Sequence, residues 1–180
     1  KTALEALYGH YEKTFRLWKE AGFNVPPCFI VVCNNTSTSK LVYDYISGFH
    51  RENDDGSTTL ENGRLELFRN FDEHGNPLPR PNTLLIDSEQ LESGEGLDEN
   101  FRNMAADEIE RFRRESVDRG GKLGADLQSG KEFDDVTLLR EVMNTVGKPG
   151  QLGEQIRCVV SVSMLTEGWD ANTVTHVLGV

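Results

Sequence analysis

The 180-residue sequence has few cysteines, and their spacing argues against a disulfide framework. Its three cysteines form no Cys-x-x-Cys pair. Cys28 and Cys33 stand in one apolar run at an odd separation, so on a single strand they would point to opposite faces and could not be bridged. We therefore expect all three cysteines to be small buried side chains of a protein in a reducing compartment.

Long apolar segments and an excess of positive charge are also missing. No apolar run approaches the ~20 residues that a membrane helix requires, so we predict no membrane association and a cytoplasmic location. The chain has 30 acidic and 19 basic residues and a net charge of −11. This excludes a protein that coats nucleic acid by bulk electrostatics, because phosphate neutralisation needs a surplus of Lys and Arg.

Several motifs of catalysis and metal binding are absent from the 180 residues. The Gly-Lys pairs at 121–122, 130–131 and 147–148 lack the following Ser or Thr of a P-loop. The sequence Asp-Glu-His-Gly at 72–75 superficially resembles a helicase metal-binding box, but the residues before it do not form the apolar strand that such a box requires. No Lys stands two residues after an acidic residue, as one nuclease pattern requires, and the four histidines are scattered. We predict no catalytic residue and no metal site in this chain.

Apolar runs of strand length alternate with amphipathic helix patterns. Strands are predicted at 28–33, 83–87, 156–162 and 174–178, and helices at 2–21, 38–47, from Asp98 to Gly120, and from Asp135 to Val146. Leu41 is expected on the inner face of the second helix. Buried strands that alternate with helices predict an α/β fold with a parallel sheet flanked by helices.

The chain divides into a leading amphipathic helix at 1–24 and an α/β domain at 25–180. Within the domain, residues 50–81 are rich in turn signals and carry prolines at 77, 79 and 81. We predict a surface insertion there, a small β-hairpin or two edge strands, with the alternating residues Arg64–Phe68 in a strand. Because the chain lacks an initiating Met and stops on an apolar Leu178–Val180, we expect a fragment, incomplete at the C-terminus.

The loops after the strands are the best candidates for a binding site, since ligands of parallel sheets bind beyond the carboxyl ends of the strands. Three loops are predicted at this edge, at 34–37, at 88–97 and from Ser163 onward. In the third, the hydroxyl of Ser163 could hold a phosphate together with that of Thr166 and the loop N–H groups, without any lysine. Gly168 would permit a tight turn, and Asp170 could accept hydrogen bonds from a ribose. A capped turn between two strands is the alternative interpretation.

The sequence also resembles a known family. Ser163–Asp170 (SMLTEGWD) followed by Val174–Val177 (VTHV) closely resembles motif V of superfamily-2 helicases, in the form found in the Res subunit of type III restriction enzymes. Phe29–Thr36 (FIVVCNNT) looks like motif IV of the same second RecA-like domain. Asn82–Leu91 and Leu138–Gly153 also look like this group, so that most of residues 25–180 is covered, except the insertion.

The resemblance implies a RecA-like helicase C-terminal domain that closes over ATP and Mg²⁺ against a first RecA-like domain. By that resemblance Gly168 and Asp170 lie on the nucleotide side, and Thr36, Ser163 and Thr166 lie near DNA phosphates. The implied partners are double-stranded DNA and a modification (methyltransferase) subunit. The P-loop, the acidic box and the nuclease signature are missing, so the fragment alone should be inactive.

Two alternatives remain open at this stage. One is the equivalent domain of another superfamily-2 DNA helicase, which the residues beyond Val180 would distinguish. The other is a non-catalytic interaction module, with the helix at 2–21 and the insertion as docking surfaces.

Overall fold

The computed structural model describes residues 2–87, 110, 113–114, 135–163 and 172–180. The loop predicted at 88–97 and most of the helix predicted from Asp98 lie outside these residues. None of the helices in the described part is both long and apolar enough to cross a membrane.

The described elements follow the predicted alternation of strands and helices. The helices are α1 (Thr2–Glu20), α2 (Thr36–Ser47) and α3 (Asp135–Asn144), with a single 3₁₀ turn at Glu66–Phe68. The strands are β1 (Cys28–Cys33), β2 (Gly48–Glu52), β3 (Thr58–Asn62), β4 (Thr83–Asp87), β5 (Cys158–Val162) and β6 (Val174–Gly179).

The main sheet is parallel, in the order β4-β5-β1-β6, which confirms the predicted fold class. Strand β1 is central and is paired on both edges, by β5 and by β6. Its continuous apolar sequence fits this position, because a strand covered on both faces has no polar side to show. The registers align Cys33 with Val162 and Asp87 with Val162, so three strands end at the same level.

Helix α1 attaches to the sheet through an aromatic cluster centred on Tyr11. The Tyr11 ring is fully buried and packs against Phe29 of β1 and Phe68, with ring centroids 6.0 and 4.7 Å away. Its hydroxyl donates a hydrogen bond of 2.6 Å to the carbonyl of Pro27, just before β1. Burial raises the pKa of Tyr11, so the hydroxyl remains a donor at any physiological pH.

Helix α2 begins two residues earlier than predicted and presents a different face. The Asn35 side chain accepts a hydrogen bond from the N–H of Thr38, so Asn35 is the N-cap and Thr36 is already helical. The helix buries Tyr43 and Ile46, whereas Leu41 is 72% exposed. The prediction that Leu41 faces inward is therefore wrong. The predicted end at Gly48 is confirmed by its φ of 87°.

The predicted hairpin is present as a separate antiparallel sheet of β2 and β3. The strand predicted at Arg64–Phe68 is wrong, because Glu66–Phe68 form a 3₁₀ turn. The apolar residues of this segment reflect packing of the turn against the core and not a strand. Leu65 and Phe68 are buried, and Phe68 packs edge-on against Tyr8 of α1. The hairpin is thus peripheral, whereas the turn that follows it belongs to the core.

A buried asparagine joins this turn to the sheet. The amide nitrogen of Asn70 donates to the Tyr43 hydroxyl and to the Thr83 carbonyl, each at 3.0 Å. Its amide oxygen accepts from the backbone N–H groups of Asn82 and Thr83. All four hydrogen bonds that the side chain can form are therefore made, so its burial leaves no polar atom unpaired. The same hydrogen bonds fix the start of β4 beside α2.

We predict that the hairpin and the turn contribute very differently to stability. Replacing residues 49–61 by a two-residue Asn-Gly turn should change the free energy of unfolding by no more than ~1 kcal/mol, because Gly48 and Asn62 are already paired across β2 and β3. Phe68→Ala should cost ~3–5 kcal/mol, because it leaves a cavity among aromatic rings.

Urea unfolding measures both changes. Phe23→Ala is the matched control, since Phe23 is 59% exposed and its truncation should cost little. A Phe68→Ala protein as stable as the Phe23→Ala protein would show that the turn does not belong to the core.

Candidate binding edge of the sheet

The candidate site lies between the carboxyl ends of β1 and β5. In the sheet order, the chain leaving β1 next enters the main sheet at β4, on one side, whereas the chain leaving β5 next enters it at β6, on the other side. Adjacent strands whose connections run in opposite directions mark a topological switch point, and open α/β sheets bind ligands in the crevice at the carboxyl ends of such strands. The topology therefore selects the loops after Cys33 and after Val162.

The β1 side of the crevice is the N-terminus of α2. Because Asn35 caps this helix, Thr36 and Ser37 stand in its first turn, where backbone N–H groups have no partner within a helix. No acidic residue occupies this turn. Thr36 is half-buried, and its carbonyl accepts a hydrogen bond of 2.7 Å from the Ser39 hydroxyl. The result is an ordered set of neutral donors beside a positive helix end.

The β5 side is Ser163, which has an unusual backbone conformation. Its φ is 65°, the left-handed region that side chains other than Gly, Asn and Asp seldom occupy. Two hydrogen bonds hold the residue there: its N–H donates to the carbonyl of Cys33 at 2.9 Å, and the Ser161 hydroxyl donates to its carbonyl at 2.9 Å. Backbone strain of this kind is concentrated at functional sites.

The structure brings two of the five sequence-predicted site residues to one edge of the sheet. Thr36 follows β1 and Ser163 follows β5, and the hydrogen bond from Ser163 to Cys33 joins the two loops. The other three, Thr166, Gly168 and Asp170, lie outside the described residues, so their proposed roles stay predictions.

Sequence reasoning missed one polar residue at this edge. Asp87 is the last residue of β4, is aligned with Val162 and is 7% exposed. The sequence contained a signal for it, since Asp87 directly follows the apolar residues Thr83–Ile86. A carboxylate that follows a buried parallel strand lies at the carboxyl edge of the sheet. Asp87 therefore extends the candidate edge across β4, β5 and β1.

The cysteines and His176 contribute packing to the main sheet, and only Cys33 lies at its carboxyl edge. All three thiols are free and buried, and burial raises the pKa of Cys28 to about 12, so this thiol stays protonated. The His176 ring stacks on Phe29 with centroids 5.7 Å apart, and desolvation lowers its pKa. Within the described part of the chain, no group of three or more His, Cys, Asp or Glu residues is arranged to hold a metal ion.

Comparison with protein-family models, curated proteins and solved structures finds no match for this chain. What is established is a four-stranded parallel sheet with flanking helices and a separate antiparallel hairpin. The function must therefore be argued from the edge geometry and the sequence motifs.

The strain at Ser163 makes a specific prediction about stability. Ser163→Gly should stay within ~1 kcal/mol of the parent, because glycine adopts the observed φ freely but loses more entropy on folding. Ser163→Val should cost a further ~1–2 kcal/mol, because its β-branched side chain is disfavoured in the left-handed region.

Both variants are compared by urea unfolding. Equal stability of the Gly and Val variants would contradict the left-handed conformation at residue 163.

Proposed function

We propose that this chain is part of the second RecA-like motor domain of an ATP-dependent DNA translocase, of the kind found in the Res subunit of type III restriction enzymes. The observation that supports this most is the position of Ser163. It opens the motif V-like segment and lies at the carboxyl edge of the sheet, hydrogen-bonded to the end of the motif IV-like strand.

The DNA side of the proposed site would use neutral donors. Thr36 and Ser163 offer hydroxyls and N–H groups at one edge, and we propose Thr166 as the third contact. Hydroxyls and backbone N–H groups position a phosphate backbone without reading its sequence. Such contacts also suit a chain with a net charge of −11, for which a broad basic surface is excluded.

The nucleotide side would be formed by Gly168 and Asp170, with ATP bound between this domain and a first RecA-like domain. The described residues offer N–H donors suited to an anion but no acidic cluster suited to Mg²⁺. By the family resemblance, we assign the metal and the triphosphate-binding P-loop to the first domain. ATP would supply the energy for closure of the two domains. Residues of this chain would hold the ribose and transmit the domain closure to the DNA strand.

The proposed partners are double-stranded DNA, that first domain and a modification (methyltransferase) subunit, in the cytoplasm. The closest alternative is the same domain of another superfamily-2 DNA helicase, which would use the same edge. A non-catalytic interaction module is a different class, favoured by the exposed Leu17 and Leu41 on α1 and α2. A P-loop elsewhere in the full-length protein would exclude that module.

The proposal predicts that the 180 residues alone do not hydrolyse ATP, with or without DNA, because they contain no P-loop. In the full-length protein, Asp170→Asn should slow DNA-stimulated ATP turnover roughly ten- to a hundredfold, since a charged hydrogen bond is worth ~1.5–3 kcal/mol. Phosphate release and DNA translocation are the measurements.

Asp54→Asn is the matched control, because it removes the same charge from an exposed turn of the hairpin and should leave turnover unchanged. If Asp170→Asn hydrolyses ATP normally but unfolds at a lower temperature, Asp170 is a structural cap and the nucleotide assignment fails.

A further inference from the structure

A pocket lies at the amino edge of the sheet, opposite the candidate binding edge. It has a volume of about 170 Å³ and is formed where the end of α1 meets the residues that lead into β1 and β5. Its apolar wall includes Phe15, Trp18, Phe23 and Pro26, and its polar groups include Lys19 and Arg157. A cavity of ~150 Å³ accommodates benzene, so this pocket has room for one six-membered ring.

The apolar wall is held in place by the way α1 ends. Gly22 adopts a φ of 83°, its N–H donates to the carbonyl of Lys19, and the N–H of Phe23 donates to the carbonyl of Trp18. This pair of hydrogen bonds is a Schellman motif, and it places the Trp18 and Phe23 rings 5.0 Å apart. Phe23 is 59% exposed, so much of its ring surface remains open to contact from outside the protein.

The polar group of greatest interest is Arg157. Its backbone is fixed in the sheet, since its N–H donates to the Asn82 carbonyl and its carbonyl accepts from Phe29, both at 2.8 Å. Its guanidinium lies 4.7 Å from the centre of the Phe15 ring and donates one hydrogen bond, from Nη1 to the carbonyl of Leu67. These contacts therefore fix the orientation of the Arg157 side chain in the absence of a ligand.

Arg157 is also a partly buried positive charge. Its Nε is buried and has no hydrogen-bond partner, and no carboxylate in the described part of the chain forms an ion pair with it. Desolvation lowers the pKa of Arg157, yet a guanidinium keeps its proton at neutral pH and so cannot relieve this cost by becoming neutral. Partial burial of a cation costs free energy, and an anion that reaches the guanidinium would offset this cost beyond what the contacts with Phe15 and Leu67 do.

We propose that this pocket binds a small carboxylate with one ring, with the carboxylate on the Arg157 guanidinium and the ring between Trp18, Phe23 and Pro26. The fork of the guanidinium matches the two oxygens of a carboxylate. The aromatic rings would cover the apolar body, and Lys19 at the rim adds a second positive charge in a chain that is acidic overall. This site is independent of the function proposed for the opposite edge.

Benzoate is the probe that tests the proposal, in an NMR titration of the ¹⁵N-labelled protein. The resonances to follow are the indole N–H of Trp18 and the Nε–H of Arg157, and both should shift and saturate together. Benzamide, which keeps the ring but lacks the charge, and acetate, which keeps the charge but lacks the ring, should each bind at least tenfold more weakly.

Variants separate the two parts of the site. Arg157→Gln should weaken benzoate at least tenfold, and Arg157→Lys should recover only part of the affinity, because lysine lacks the planar fork. Phe23→Ala should also weaken it, and since Phe23 is exposed this variant should remain folded even if Arg157→Gln does not. Arg16→Gln is the control, because Arg16 is an exposed cation on the same helix and should have no effect.

Other outcomes would overturn the proposal. Equal affinity for benzamide and benzoate would mean that the pocket recognises only an apolar ring. Inorganic phosphate that shifts the Arg157 resonance where benzoate does not would identify an anion site of a different class. An absence of saturable shifts with benzoate would show that Arg157 has only a structural role.

Discussion

The parallel pairing of β1 with β5 is the interaction on which the rest of the structure depends. It joins an apolar strand near the start of the chain to one near its end, and it aligns Cys33 with Val162. The hydrogen bond from Ser163 to Cys33 extends this pairing into the loops beyond the strands. The candidate DNA-contacting residues Thr36 and Ser163 therefore share one edge because two distant strands share one register.

The helices and the inserted segment hold this pairing in place through buried polar groups as well as apolar packing. The Tyr11 hydroxyl binds the carbonyl of Pro27 at the start of β1, and Asn70 uses its whole side-chain amide to join α2, the inserted turn and β4. Buried groups satisfied in this way specify one arrangement, because any slip would leave donors unpaired.

The two edges of the sheet differ in chemistry. The carboxyl edge presents neutral donors from a helix start and a strained serine, with the Asp87 carboxyl group at the end of β4. The amino edge presents the Arg157 guanidinium among aromatic rings, where we propose that a carboxylate binds. Burying a cation costs free energy, whereas N–H groups at a helix end exist in any helix.

The sequence by itself determined the fold class, the cores of the strands, and the glycine that ends each of α1 and α2, because apolar periodicity and glycine conformation are local properties. It indicated that Thr36 and Ser163 would follow strands. Only the tertiary structure decided that Leu41 faces outward and that Phe68 belongs to the core. Tertiary packing likewise placed Asp87 at the shared edge and left Arg157 without a carboxylate partner among the described residues. These outcomes depend on contacts between residues far apart in the chain, for which a local pattern carries no signal.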